Sequence, residues 1–429
     1  MTNHAHTVTA LPAARTPGCP FNPPRELSQA HEHGPISRLP FPGGHDGWLI
    51  TGHQLARSVL GDPRFSSRQE LMRSPFIDMG DSPTPPAPPG IFIMMDGGDH
   101  GRYRKLLAGK FTVRRMRLLT ERVEQVTAER LDAMAAAGPP ADLVGAFAQP
   151  IPAIMICELL GVPATDRPFF QEHVATLFDE DAPEEERYAS HAAVHGYIAT
   201  LVSAKRAAPT DDVLSDLTGT DLSEAELIGA AGLLLAAGMD TTSNMLSLGT
   251  FALLSNPGQV AMLRDAPDQC VEELLRYLSV VHRRPRVALE DVELAGHTVK
   301  AGDQVILALN TANRDPGRFD APDALDAGRS AIGHLAFGHG VHQCLGQQLA
   351  RVELRTAYPA LFARFPSLRL AVPAEDIALR PETGDVIGVK TLPVTWDAGD
   401  QGLHAHAADP READAESPPR GRAGSLPQA

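Results

Sequence analysis

The sequence predicts a mainly α-helical chain with a minor β portion, folded around one core. Three observations predict it. Ser223-Glu224-Ala225-Glu226 forms a capping box, and a helical apolar pattern runs from it to about Ser255, where Asn256-Pro257 stops it. Most other long stretches also carry helical spacing, while the strand candidates are few and short. Between two polar, aperiodic ends no linker-like composition interrupts the chain. The expected organisation is therefore a flexible arm over residues 1–17, one domain over 18–397 and a disordered tail over 398–429.

The elements follow in order. Trp48 to Thr51 reads as a short strand, and the proline-rich stretch Ser82 to Gly90 as a loop. The helix after Ser223 would be roughly 50 Å long at 1.5 Å per residue. It is apolar on nearly all sides near its middle, so it should cross the core. Val287 to Lys300, with Gly296 at the turn, reads as a hairpin, and Val305 to Ala308 as another strand.

Composition narrows the function. Hydrophobic residues make up 43% of the 429, enough for a sizeable core. A net charge of -15 argues against a nucleic-acid binder, which needs a basic surface for phosphates. The four cysteines, Cys19, Cys157, Cys270 and Cys344, include no C-x-x-C pair, so zinc and iron–sulfur spacings are missing. Free thiols in a reducing compartment fit better, and a cytoplasmic protein is expected. The longest apolar run, Leu227 to Met239, is interrupted by Gly229 and Gly232 and is too short to span a bilayer, so no membrane anchor is expected.

The most specific signal is Phe337-Gly338-His339-Gly340-Val341-His342-Gln343-Cys344-Leu345-Gly346. A thiolate that reaches an iron must sit on a tight loop whose backbone N–H groups point at the sulfur. Gly338, Gly340 and Gly346 would permit the sharp turns and close approach, and Phe337 could cover the sulfur. A helical pattern with Leu345, Leu349, Val352 and Leu361 on one side follows, so Cys344 lies near a helix N-terminus, which should lower its pKa. A cysteine alone in a glycine-rich turn would be ordinary; the whole pattern is not. It resembles the haem-binding loop of the cytochrome P-450 family, Phe-Gly-x-Gly-x-His-x-Cys-x-Gly, at every fixed position.

That resemblance implies the fold, with haem b (iron protoporphyrin IX) held between the long central helix and the helix after Cys344, and Cys344 as the metal ligand. It extends to Ala237-Gly238-Met239-Asp240-Thr241-Thr242, which is similar to the family's oxygen-binding groove. Gly238 would leave room for dioxygen, the Thr241 hydroxyl could bond back to the Ala237 carbonyl, and Asp240 is an acid in an apolar run, expensive unless paired or functional. His100 and Arg104 have the spacing of the family's haem-carboxylate contacts and share a helix face, and Arg286 and His342 match the other two. Gly97-Gly98 stands where a proline pair is usual. Glu273 and Arg276 match the family's structural Glu-x-x-Arg lock; Ala324 cannot supply the usual third arm, which leaves Arg329 or Arg318.

The resemblance implies a monooxygenase that inserts one oxygen atom of O2 into a small organic substrate, by hydroxylation or epoxidation, with Asp240 and Thr241 relaying protons. Electrons would come from a ferredoxin and its reductase. Arg102, Arg104, Lys105, Lys110, Arg114, Arg115 and Arg117 occur without an acid between residues 100 and 117, which suits docking of an acidic ferredoxin or simply a solvated basic face. By the same resemblance the substrate pocket would be bordered by residues 71–95, 165–195, Leu234 to Thr241, Val280 to Val287 and Asp385 to Ile387, and a macrolide or other polyketide of secondary metabolism is the expected substrate. A catalytically silent or sensory haem protein on the same fold is the alternative.

Overall fold

The structure is a computed structural model. It describes residues 5–399 apart from Arg15, Pro17, Asp81, Phe111, Thr112, Glu180, Glu382 and Ala398. The stretch expected to be a disordered tail therefore lies almost wholly outside the described residues. Part of the expected N-terminal arm is tied down: the Arg38 N–H donates to the His6 carbonyl at 2.7 Å, the Val8 N–H returns to the Arg38 carbonyl at 2.9 Å, and Leu11 is buried.

Helices dominate. In chain order they are α1 (Arg25–His33), α2 (His53–Gly61), α3 (Gly97–Ala108), α4 (Val113–Ala137), α5 (Pro150–Leu159), α6 (Arg167–Phe178) and α7 (Glu184–Ala207). Then come α8 (Val213–Thr218), α9 (Glu224–Ser255), α10 (Ala261–Asp265), α11 (Pro267–Leu278), α12 (Leu309–Ala312) and α13 (Gln347–Arg364). The strands are β1 (Ile36–Arg38), β2 (Gly47–Ile50), β3 (Phe65–Ser66), β4 (Ala141–Asp142), β5 (Arg283–Ala288), β6 (Val292–Leu294), β7 (His297–Val299), β8 (Gln304–Ala308), β9 (Arg369–Leu370) and β10 (Pro393–Thr395).

The main sheet has the order β1-β2-β8-β5-β3; β2 and β8 run parallel and the other neighbours antiparallel. The expected hairpin is β6–β7, with Leu294 opposite His297 and Ala295 and Gly296 in the left-handed region between them (φ 49° and 82°), as a two-residue hairpin turn demands. The residues before it, from Arg283, form a separate strand that pairs with β8.

Helix α9 starts and stops where the pattern predicts. Both bonds of the capping box form: the Glu226 N–H donates to Ser223 Oγ at 3.3 Å, and the Ser223 N–H to Glu226 Oε2 at 2.7 Å. From Thr242 to Leu253 every residue is buried, so the helix crosses the largest core cluster. Gly249 lets α13 come close: a Cβ there would lie 2.0 Å from the Tyr358 hydroxyl, which donates to the Met245 carbonyl. Thus α9 and the helix after Cys344 are packed directly against each other. Among the described residues no helix is long and apolar enough to cross a membrane.

Candidate active site

The cysteine loop is built from its own backbone. The Gly338 N–H donates to the Leu335 carbonyl at 2.9 Å, the Gln343 N–H to Gly340 at 3.1 Å, and the Cys344 N–H to Phe337 at 2.9 Å. Gly338 and Gly340 are left-handed (φ 69° and 76°), and a Cβ on Gly340 would lie 2.6 Å from the Leu60 carbonyl oxygen. Gly346 differs from expectation: it caps α13 with φ -82°, and a Cβ there would meet no protein atom. Its contribution is its N–H, which bonds toward the Cys344 sulfur. The thiol pKa also departs from expectation. Cys344 is exposed, yet protein walls it closely enough that burial pushes its pKa up, outweighing the Gly346 N–H and the charges of Arg104, Arg284 and Arg351.

Behind the loop stands a saturated polar lock. Glu273 and Arg276 are both fully buried, and Arg276 donates to both Glu273 oxygens at 2.7 and 2.8 Å. The open third arm is Arg329, whose Nε lies 3.2 Å from Glu273 Oε1, whereas Arg318 donates instead to the Ile332 carbonyl. Arg276 continues to the Asn313 carbonyl at 2.8 Å, and Asn313 Oδ1 accepts from the Leu335 N–H at 2.7 Å, so the lock reaches the start of the cysteine loop.

A second network beside it escaped the sequence reading. Arg351 donates to Glu272 at 2.5 and 3.0 Å, and its guanidinium lies 4.6 Å from the Phe337 ring centre. His334 Nδ1 accepts from the Ala336 N–H at 3.1 Å, so Nε2 carries the proton donated to Glu272 at 3.0 Å. Burial alone would raise the Glu272 pKa, but His334 and Arg351 bring it down to about 2.

The four residues expected to hold the haem carboxylates come together from three distant parts of the chain. His100 and Arg104 lie on α3, Arg286 on β5 and His342 in the cysteine loop. The His100 and His342 rings stand 4.0 Å apart, and Asp96 Oδ1 lies 3.4 Å from His342 Nε2. Burial, then the charges of His342 and Arg104, push the His100 pKa down to about 4. Burial, then Arg284, lowers that of Arg286 to about 10. Arg104, Arg284 and Arg286 make no ion pair with an acid among the described residues. A thiol with Arg104 and Arg286, both without counter-ions, and two imidazoles gathered beside it is a donor set that suits an iron centre bearing two carboxylates.

On α9 the Thr241 hydroxyl donates to the Ala237 carbonyl at 2.8 Å. Asp240 is nine-tenths buried; its Oδ1 accepts from Arg380 at 2.7 Å and from Asn244 at 3.0 Å, while Oδ2 has no partner. Burial raises its pKa despite Arg380 and Asn244. Beside it opens a cavity of about 380 Å³ whose lining includes Gln149, Gln171, Ser243, Asn244 and Arg380. Gly388 makes room for this arrangement, since a Cβ there would lie 1.7 Å from Asn244 Oδ1. Gly238 does not hold the place expected of it. Its Cβ position points at Ile156 of α5, 3.1 Å away, because residue 238 is turned about 100° round the helix from residue 237. The small residue that shares a face with Thr241 is Ala237, four positions earlier.

The basic segment is also less open than its composition suggests. Acids from elsewhere in the chain pair with it: Arg102 with Glu226 at 2.5 Å, Arg115 with Asp211 at 3.1 Å and Asp216 at 3.2 Å, and Lys110 with Asp216 at 3.6 Å.

Among known proteins, the family model for cytochrome P450 matches residues 266–395. A Streptomyces protein named cytochrome P450 105C1 is 47% identical, over 88% of this chain and 96% of its own length. The chain belongs to the cytochrome P450 family. It is a P450 monooxygenase whose cofactor is haem b. Pentalenic acid synthase of Streptomyces avermitilis is 43% identical, over 90% of this chain and 97% of its own length. The crystal structure of CYP105P1 in complex with filipin I superposes with a TM-score of 0.84 at 39% identity, covering 91% of this chain and 99% of that one.

Proposed function

We propose that this P450 oxidises an organic metabolite in the tailoring of a secondary product, with a macrolide or other polyketide as the expected class. One relative is named for making pentalenic acid and another was crystallised with filipin I, which supports a metabolite of some size as substrate. Bound haem supplies the activation of dioxygen. The chain's own residues do the rest: Cys344 holds the iron, and His100, Arg104, Arg286 and His342 hold the haem carboxylates. Phe337, Gly338 and Gly346 shape the loop around the sulfur.

The observation that carries the proton-relay reading is the pairing on α9. Asp240 keeps one oxygen free of donors beside a cavity, while the Thr241 hydroxyl is aimed by the Ala237 carbonyl. Asp240 would take a proton from the cavity side and pass it toward the Thr241 hydroxyl, while the apolar flanks of α9 limit other water. Gly238 serves this site indirectly, by letting α5 pack against α9. Electrons would come from a ferredoxin and its reductase, docking on the side of Cys344 where Lys105 and Arg104 lie.

The reduced protein with carbon monoxide tests the reading. A strongly red-shifted Soret band establishes thiolate ligation; a bluer band in intact, haem-loaded protein would shift the reading to a silent or sensory haem protein. Titration of candidate metabolites against the ferric spin state then finds the substrate.

A further inference from the structure

Strand β5 carries three arginines, and the chain accounts for two of them. Arg283 lies over the Phe76 ring at 4.8 Å, donates to the Thr383 carbonyl and stands 3.6 Å from Asp385. Arg286 belongs to the cradle with His100, Arg104 and His342. The Arg284 side chain has neither an ion pair nor a hydrogen bond to this chain among the described residues, and the acid whose field it feels most, Asp385, is the one beside Arg283.

Its position is fixed by the pleat. In the β5–β8 ladder Arg284 stands opposite Leu307 and Arg286 opposite Val305, so the two arginines share one face of the strand, about 6.6 Å apart. Arg284 is the member nearer the segment where Val281 bridges Val386 and the Ile387 N–H donates to the Val280 carbonyl at 2.8 Å. That segment is the apolar wall expected to border the substrate. Its field nonetheless reaches Cys344, so the side chain lies on the haem side of the strand.

Haem brings two carboxylates, and Arg104, Arg286, His100 and His342 already outnumber them. A partly buried guanidinium without a counter-ion is costly unless a ligand supplies one, and its planar fork matches a carboxylate in two parallel bonds. We propose that Arg284 anchors the substrate, binding a carboxylate carried on an otherwise apolar molecule and so selecting which carbon faces the haem. This rests on the reading of the β5 wall as part of the substrate pocket of a working P450.

The experiment is a ferric spin-state titration of the haem-loaded protein with dodecanoic and hexadecanoic acids and with their methyl esters. The wild type is expected to bind acid about tenfold or more tighter than ester, the difference a charge-assisted pair makes. Arg284→Gln should bring the acid to the affinity of its ester, Arg284→Lys should keep part of the preference, and ester binding, haem content and reduced carbon monoxide spectrum should stay as in the wild type. Equal wild-type affinity for acid and ester, or failure of the acids to bind, overturns the proposal without needing a variant. So does an Arg284→Gln protein that loses haem, or whose reduction potential shifts while acid and ester weaken together, since Arg284 would then serve a haem carboxylate. Absence of the thiolate Soret band before any titration is a different failure, that of the monooxygenase reading itself.

Discussion

Behind the cysteine loop, Glu273 accepts from Arg276 twice, from Arg329 and from the Asp326 N–H. On the facing helix, Asp240 is nearly as enclosed and leaves one oxygen without a donor. Both are carboxylates in contact with an arginine, and the arginine does not decide what they do. A carboxylate bonded at both oxygens by several donors is held in one place, which suits a structural strut. One with an idle oxygen beside a cavity can take up and release a proton. The same contrast separates Glu272, bonded by Arg351 and His334, from Arg284, which has no ion pair among the described residues.

The contrast is broken most severely at the strut. Arg276→Ala leaves the Glu273 charge buried with Arg329 and the Asp326 N–H as its remaining partners, and about 3–5 kcal/mol of stability should be lost. Denaturant unfolding and haem content measure it; a folded, haem-replete variant would show that the lock is dispensable.

Asp240→Asn should leave the fold and haem intact and slow oxygen-dependent turnover by about 100-fold, the contribution of a positioned proton donor. Thr241→Ala should let reductant flow while uncoupling it from product. Stopped-flow decay and product-to-reductant ratios read the two effects, and unchanged values would remove the relay from α9.

Two acids sharpen the comparison through pH. Glu272 titrates near 2 against an ordinary 4.5, so its stabilisation is present above pH 4.5 and is lost as pH falls toward 2. Glu353 on α13 is the reverse. Burial lifts its pKa to about 8, only partly opposed by the Thr242 hydroxyl, so its contribution is full below pH 4.5 and fades as pH rises toward 8. Melting temperatures from about pH 4 to about pH 9 should show Glu272→Gln less stable than wild type at neutral pH and Glu353→Gln gaining on it at the alkaline end. Parallel curves would mean that neither group changes its charge on folding.

The smallest effect is at the start of α9. Ser223→Ala removes one half of the capping box and should cost about 1 kcal/mol. It should leave the spectrum unchanged, since the cap lies more than about four helical turns from Asp240.

Much of this architecture could be read in the sequence because its signals are local. The capping box and proline stop bound α9 within a residue, and the cysteine loop carries its glycines, phenylalanine and cysteine in one short run. What stayed hidden crosses the chain. Arg380 reaches Asp240 from 140 residues away and Arg351 reaches Glu272 from 79, and nothing beside either arginine marks it. The buried Asp240 in an apolar helix was the one available sign that a distant cation must exist. Gly238 was misplaced for a different reason: its role depends on its angle round the helix, which α5 decides.

The gathering of Arg104 and Arg286 beside His100 and His342 has a thermodynamic consequence. Two partly buried arginines without counter-ions among the described residues are costly in the protein alone, so a dianionic cofactor bound beside them would relieve a cost already present in the fold. Each tenfold rise in free haem above its dissociation constant then adds about 1.4 kcal/mol to the folded state by mass action. How much of this protein a cell can keep folded is thus set by its haem supply as much as by its sequence.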